Sequence, residues 1–225
     1  MRDDSAVERV RVIVTRAAPQ AGPLVARLEA LGYEVAACPL IEIVPLGNEP
    51  IDVSGYDWVV VTSANGAEEL ARRRSGEIAR LAAVGPGTAE ALRRHGLEPD
   101  LVPVESTQEG LLVELPRPAG RVLVATAEGA RRLLVDELGA DFVPLYRTCE
   151  MRPEEPPEGD LVVLASGSAA RAFAALGLDI PAVSIGPQTT IAAEAAGLEV
   201  VAEAATHDLD GLVAAVRSAR CSSPS

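Results

Sequence analysis

The 225-residue chain contains no lysine; all twenty of its basic residues are arginine. Schiff-base and pyridoxal chemistry are thereby excluded, as is a Walker-type phosphate-binding lysine. Aromatic residues are nearly as scarce, with one Trp, three Tyr and two Phe, so stacking on nucleic-acid bases has little to draw on. Cys38, Cys149 and Cys221 show no CxxC spacing, and His95 and His207 lie far apart in sequence, which argues against a metal site or a disulfide framework. No run approaches eighteen apolar residues, and Met1 to Arg11 is charged without an apolar stretch. The expectation is a cytoplasmic protein that enters no membrane, with Cys221 to Ser225 as a frayed tail. A formal net charge of −13 disfavours nucleic acid or an anionic membrane surface as a partner.

What the chain does have is a repeat. Val84-Gly85-Pro86-Gly87-Thr88, followed by Gly96-Leu97 and Gly110-Leu111, returns 101 positions later as Ile185-Gly186-Pro187-Gln188-Thr189, Gly197-Leu198 and Gly211-Leu212. Each copy reads as strand, Gly-Pro turn, helix, strand and amphipathic helix. Such a duplication predicts two lobes of about 100 residues, with function in the groove between them.

Short β-branched runs alternate with Ala/Leu/Arg/Glu stretches at helical spacing, the pattern of parallel sheets covered by helices. Ten strands are predicted, five per repeat: Val10–Thr15, Tyr33–Cys38, Trp58–Thr62, Leu81–Val84, Leu101–Val104, Arg121–Ala125, Asp141–Leu145, Asp160–Ala165, Ala182–Ile185 and Glu199–Ala202. Helices are predicted from about Pro19, Asn65, Gly87, Gln108, Gly129, Ser168, Gln188 and Leu209. Pro45–Ser54 and Met151–Gly159 interrupt this rhythm at corresponding points and read as crossovers between lobes. The predicted fold is α/β: two similar lobes, each a five-stranded mostly parallel sheet flanked by helices, joined by two extended crossover strands. Domain 1 is discontinuous, residues 1–40 with 155–225; domain 2 is 50–143; segments 41–49 and 144–154 connect them.

Six turns after strands are small and hydroxylated: Thr15-Arg16-Ala17, Thr62-Ser63-Ala64-Asn65, Gly85-Pro86-Gly87-Thr88, Thr126-Ala127-Glu128-Gly129, Ser166-Gly167-Ser168 and Gly186-Pro187-Gln188-Thr189. At the carboxyl edge of a parallel sheet such turns offer hydroxyls and helix amino-terminal N–H groups to a carboxylate or phosphate, with no need for lysine. Each could equally be only a helix cap or turn. None matches GxGxxG or GxxxxGK[ST], so dinucleotides and nucleoside triphosphates are disfavoured. Tyr146, beside Arg147 where a strand leaves a lobe, reads as a site residue or as a partly buried ring. Trp58 reads as packing, His95 as a favourable charge at a helix end, and Arg72-Arg73-Arg74 as a solvated helix end.

Thr15-Arg16, Val60-Val61-Thr62-Ser63-Ala64-Asn65, the Gly85 turn, Leu145-Tyr146-Arg147-Thr148, and Ser184 through Gly197-Leu198 to Asp210-Gly211-Leu212 together resemble the uroporphyrinogen-III synthase family over nearly the whole chain. The resemblance implies a cofactor-free, metal-free lyase of porphyrin and haem biosynthesis. It would cyclise the linear tetrapyrrole hydroxymethylbilane to uroporphyrinogen III, with inversion of ring D and loss of water. It also implies Tyr146 as the group assisting departure of the hydroxyl. The substrate's acidic arms would be held by Thr15, Arg16, Thr62, Ser63, Ala64, Asn65, Gly85, Thr88, Ser166, Gly167, Ser168, Gly186, Gln188 and Thr189. A monomer is implied, with at most a transient encounter with hydroxymethylbilane synthase. Two departures stand out: Thr126-Ala127 replaces the family's usual Arg-Gly, and Thr-Arg-Ala replaces Thr-Arg-Pro. The competing readings are a two-lobed small-molecule-binding or regulatory module without catalysis, and a phosphosugar or nucleotide-processing enzyme; the latter is weakened by the lack of lysine and metal-ligand clusters.

Overall fold

A computed structural model describes residues 9–221. Its elements in chain order are β1 (Arg11–Val14), α1 (Ala18–Ala30), β2 (Glu34–Ala37), β3 (Ile41–Pro45), β4 (Ile51–Asp52), β5 (Trp58–Val61), α2 (Ala64–Arg73), β6 (Arg74–Ser75), β7 (Leu81–Ala83), α3 (Pro86–Arg94), α4 (Gln108–Glu114), β8 (Val122–Ala127), α5 (Leu133–Leu138), β9 (Asp141–Glu150), β10 (Leu161–Leu164), α6 (Gly167–Ala174), β11 (Ala182–Ser184), α7 (Pro187–Ala195), β12 (Val200–Glu203) and α8 (Leu209–Cys221). The chain falls into two compact units, the first running up to Glu42 and resuming at Cys149, the second Ile43–Thr148.

The first unit holds the sheet β12-β11-β10-β1-β2, parallel throughout. Its central strands read RVIV and LVVL, β-branched and apolar at nearly every position, because helices cover both faces. Side chains alternate between the faces: Val12 and Val14 join Leu24, Leu28 and Leu212 on one, while Ile13 joins Leu40, Leu164 and Phe173 on the other. The second unit repeats the plan with β3-β9-β8-β5-β7, where β9, β8, β5 and β7 are parallel. There Val59 and Val61 face one core and Trp58 and Val60 the other. The fold is the expected α/β arrangement of two five-stranded sheets flanked by helices.

The helices begin where the sequence supplies caps. Ser63 accepts the Gly66 N–H at 3.0 Å, Thr107 the Gly110 N–H at 3.0 Å and Ser166 the Ala169 N–H at 3.2 Å. Helices α3 and α7 open on Pro86 and Pro187, whose missing N–H costs nothing in the first turn. Both close on glycines of positive φ, Gly96 and Gly197, with Leu97 and Leu198 bonding back to the carbonyls of Leu92 and Ala193.

The structure corrects the sequence reading in several places. Leu101–Val104 is reduced to one bridge, Ala82↔Leu101, whereas β12 forms in the second repeat. Pro99 and Pro103 remove two donors that Val200 and Ala204 keep. The helix expected from Gly129 starts at Leu133, and β8 continues to Ala127, because Ala127 pairs with Tyr146 across a register shift after Thr126 and the Glu128 N–H bonds the Tyr146 carbonyl at 2.8 Å. Thr126 and Ala127 are therefore strand residues, not a turn. The segment after Val44 carries the two-residue strand β4, paired with β6. Strand β9 is ten residues long and neighbours the five-residue β3. Bonds from Leu46 N–H to Leu145 C=O and from Met151 N–H to Leu40 C=O show the two segments antiparallel, one numbering rising as the other falls. Arg72 and Arg73 are no idle helix end. They donate to the Gly47, Glu49 and Leu46 carbonyls and to Asn48, fastening that loop. Cys221 ends α8, and the remainder of the expected tail, like Met1 to Glu8, lies outside the described residues.

Candidate active site

In each unit the parallel strands end at one edge, and the hydroxylated turns gather there. In the second unit β5 and β8 are neighbours with Val61 opposite Ala125. Thr62 and Thr126, one residue further on, thus lie side by side, and their hydroxyls hydrogen-bond. Thr126 is 2% exposed.

Ser63 caps α2, and its Oγ also lies 2.9 Å from the Tyr146 Oη, which β9 delivers to the same edge. Asn65, the second residue of α2, bonds the same hydroxyl. The ring is 6% exposed and packs in the core that holds Val61 and Leu145. Burial pushes the Tyr146 pKa up from its ordinary value, and the bonds from Ser63 and Asn65 pull it down. Tyr146 is a protonated phenol at neutral pH, and its oxygen is hydrogen-bonded by both Ser63 and Asn65. Where Ser63 and Asn65 donate to Oη, the phenolic proton is free to go to a third group.

Gly85, the extended N-cap of α3, is buried against Ser106; a Cβ there would stand 2.8 Å from the Ser106 Oγ. Thr88 is 6% exposed and its N–H bonds the Gly85 carbonyl at 3.1 Å. Ala64, the first residue of α2, is half-buried.

In the first unit Thr15, Ser166 and Gly186 follow β1, β10 and β11. Thr15 is fully buried and donates to the Val163 carbonyl at 2.9 Å, so its hydroxyl ties β1 to β10. Ser166 is half-buried and caps α6, Gly167 sits under Ala192, and Ser168 accepts from Arg171 at 3.3 Å. Thr189 is 5% exposed beneath the Gly186 turn, and Gln188 is exposed. Gly186 repeats the Gly85 arrangement with His207 in place of Ser106.

Arg16 is half-buried, and burial alone pushes its pKa down. Arg11 and Arg27 pair with Glu34 and Asp210 at 2.7 and 2.5 Å, but among the described residues Arg16 has no carboxylate or hydrogen-bond acceptor. A desolvated guanidinium with no partner among the described residues is poised for an anion. No group of three or more metal-ligating side chains forms among the described residues, and no described helix is long and apolar enough to cross a membrane.

Of the residues expected from sequence, Thr62, Ser63, Ala64, Asn65, Gly85, Thr88 and Tyr146 share the second unit's edge. Thr15, Arg16, Ser166, Gly167, Ser168, Gly186, Gln188 and Thr189 share the first unit's. Ser106 and His207 were not among the expected site residues, and Thr126 stood only in one of the six hydroxylated turns. The 101-residue offset that links Gly85 to Gly186 also links Ser106 to His207, a signal present in the sequence.

A model of the HEM4 family, uroporphyrinogen-III synthase HemD, matches residues 22–214. A uroporphyrinogen-III synthase from Synechococcus elongatus is 29% identical, covering 91% of this chain and 93% of that protein. The porphyrin biosynthesis protein HemD of Ruminiclostridium josui is 32% identical over 88% of this chain, which spans 46% of that protein. A crystal structure of a mutant uroporphyrinogen III synthase from the extremely thermophilic bacterium Thermus thermophilus aligns with a TM-score of 0.63 at 18% identity, over 95% of this chain and 100% of the other, a likeness of fold.

Proposed function

The chain belongs to the uroporphyrinogen-III synthase family, and from that premise we propose how its residues divide the work of closing hydroxymethylbilane to uroporphyrinogen III. The reaction is that of a lyase: the terminal C–O bond breaks, the hydroxyl takes a proton and leaves as water, the protonated azafulvene left behind is attacked through a spiro intermediate that turns ring D over, and the proton lost on final ring closure restores the donor. The carrying observation is the phenol of Tyr146, kept protonated by burial and held by Ser63 and Asn65.

Tyr146 donates its proton, or a hydrogen bond, to the departing hydroxyl. Ser63 and Asn65 act through Tyr146 by donating to Oη. The azafulvene is resonance-stabilised and forms readily, so most of the catalytic effect is the holding of one substrate conformation in which ring D closes inverted. Arg16 takes an acetate or propionate arm. Thr62, Ser166, Ser168, Gln188, Thr88 and Thr189, and the backbone at Ala64, Gly85, Gly167 and Gly186, supply neutral contacts to other arms, while Thr15 serves by fixing the Arg16 turn. No cofactor is needed. The same reading takes in the domain boundaries 1–40 with 155–225, 50–143, and the connecting segments 41–49 and 144–154, as well as a cytoplasmic monomer that receives substrate in passing from hydroxymethylbilane synthase. Family membership favours this reading over a binding or regulatory module.

Expression in a bacterial strain lacking uroporphyrinogen-III synthase tests the proposal. Restored haem-dependent growth is the expected result. Failure by a well-expressed, folded protein overturns it.

A further inference from the structure

We propose that His207 is a further substrate-binding residue, its imidazole N–H bonding an acidic arm of the tetrapyrrole; the proposal rests on the synthase reading above. His207 lies between β12 and α8, and because β12 runs parallel to β11 this loop reaches the same edge as the Gly186 turn. Its ring lies across that turn: a Cβ on Gly186 would stand 2.6 Å from the ring's Cδ2 and Nε2. The glycine is therefore required for the ring to occupy this place, whatever its backbone angles permit.

The ring is half-buried, yet among the described residues it has no hydrogen bond or ion pair. The adjacent carboxylate, Asp208, is already engaged, accepting from the Thr206 hydroxyl at 2.9 Å and the Gly211 N–H at 2.7 Å. The second unit builds the same loop. Thr107 caps α4 as Asp208 receives the Gly211 N–H, and the residue before each cap overlies the glycine of the neighbouring turn, Ser106 over Gly85 and His207 over Gly186. Both occupants can donate a hydrogen bond, which packing on a glycine does not demand.

Arg16 is the other uncommitted basic side chain in this unit's turns. The order β12-β11-β10-β1 puts three strand spacings between the two loops, about 14 Å. A ligand with carboxylates distributed around four pyrroles can satisfy both.

The test uses uroporphyrin III as an eight-carboxylate probe, its fluorescence titrated with the protein, alongside steady-state kinetics on hydroxymethylbilane. His207→Phe keeps a ring on Gly186 but removes both nitrogens, and His207→Gln keeps an N–H donor. The Phe variant is expected to bind the probe about tenfold more weakly, with KM raised about as much and kcat within about twofold; the Gln variant recovers most of the loss. His207→Ala gives the same comparison should the phenyl ring unfold the turn. Wild-type affinity and KM in the Phe or Ala variant overturn the proposal and leave His207 a packing residue. If His207-dependent probe binding persists in a wild-type protein that makes no type III isomer, His207 stands as a carboxylate ligand and the synthase reading fails.

Discussion

Replacing Tyr146 with Phe removes one oxygen from a ring that otherwise stays in place, packed with Val61 and Leu145. Two effects follow from the geometry. Ser63 and Asn65 lose the oxygen they bond, but both are half-exposed, so water takes over part of the loss. The cost to stability is about 1 kcal/mol, lowering Tm by roughly 2–4 °C for a chain of this size. The catalytic loss is that of a bond donated to a neutral departing hydroxyl, about 1–2 kcal/mol, or roughly five- to thirtyfold in rate. The assay generates hydroxymethylbilane in situ, follows uroporphyrinogen formation and subtracts the spontaneous closure. The isomer made by the variant remains type III, because orientation does not depend on the phenol. A folded Tyr146→Phe protein within twofold of wild type refutes the donor role. A loss beyond about a thousandfold in a folded protein refutes the claim that positioning carries most of the effect.

Arg16→Met keeps the stem and removes the uncommitted charge; KM for hydroxymethylbilane rises about tenfold or more while kcat changes little, and an unchanged KM returns Arg16 to a structural role. Gly211→Ala drives a Cβ into the Thr206 backbone carbonyl, which has no rotamer to escape by, so stability falls by about 1–3 kcal/mol, read as a lower denaturation midpoint; an unchanged midpoint contradicts the close approach. Burial raises the Tyr146 pKa, so above pH ~10 the unfolded chain loses this proton before the folded one does and stability falls with rising pH; below that range the contribution is flat. The difference in 295 nm absorbance between wild type and Tyr146→Phe should accordingly ionise above the usual tyrosine range, and a midpoint below about 10 would contradict the burial argument.

The repeat made much of the fold legible, since Gly85-Pro86 and Gly186-Pro187 mark the same strand-to-helix junction and RVIV, WVVV and LVVL cannot be placed except in buried strands. Leu101–Val104 has the composition of a strand, but prolines at 99 and 103 withhold its donors and leave one bridge. The site was legible as a set of turns but not as contacts. Ser63 and Tyr146 are 83 residues apart and meet only because β9 reaches the edge through β8, a register that no local pattern specifies. Thr126 was read as a turn residue for the same reason, and its bond to Thr62 depends on the pairing of β5 with β8. Thr15 shows the reverse failure: a hydroxyl in the right motif, spent inside the sheet on the Val163 carbonyl.

The most direct test of the account is the isomer ratio of the product. Hydroxymethylbilane made in situ is allowed to close with and without the protein, the porphyrinogens are oxidised, and uroporphyrins I and III are separated. The account predicts that type III dominates in proportion to added protein while the uncatalysed sample gives type I. Type I alone from a folded protein would contradict it.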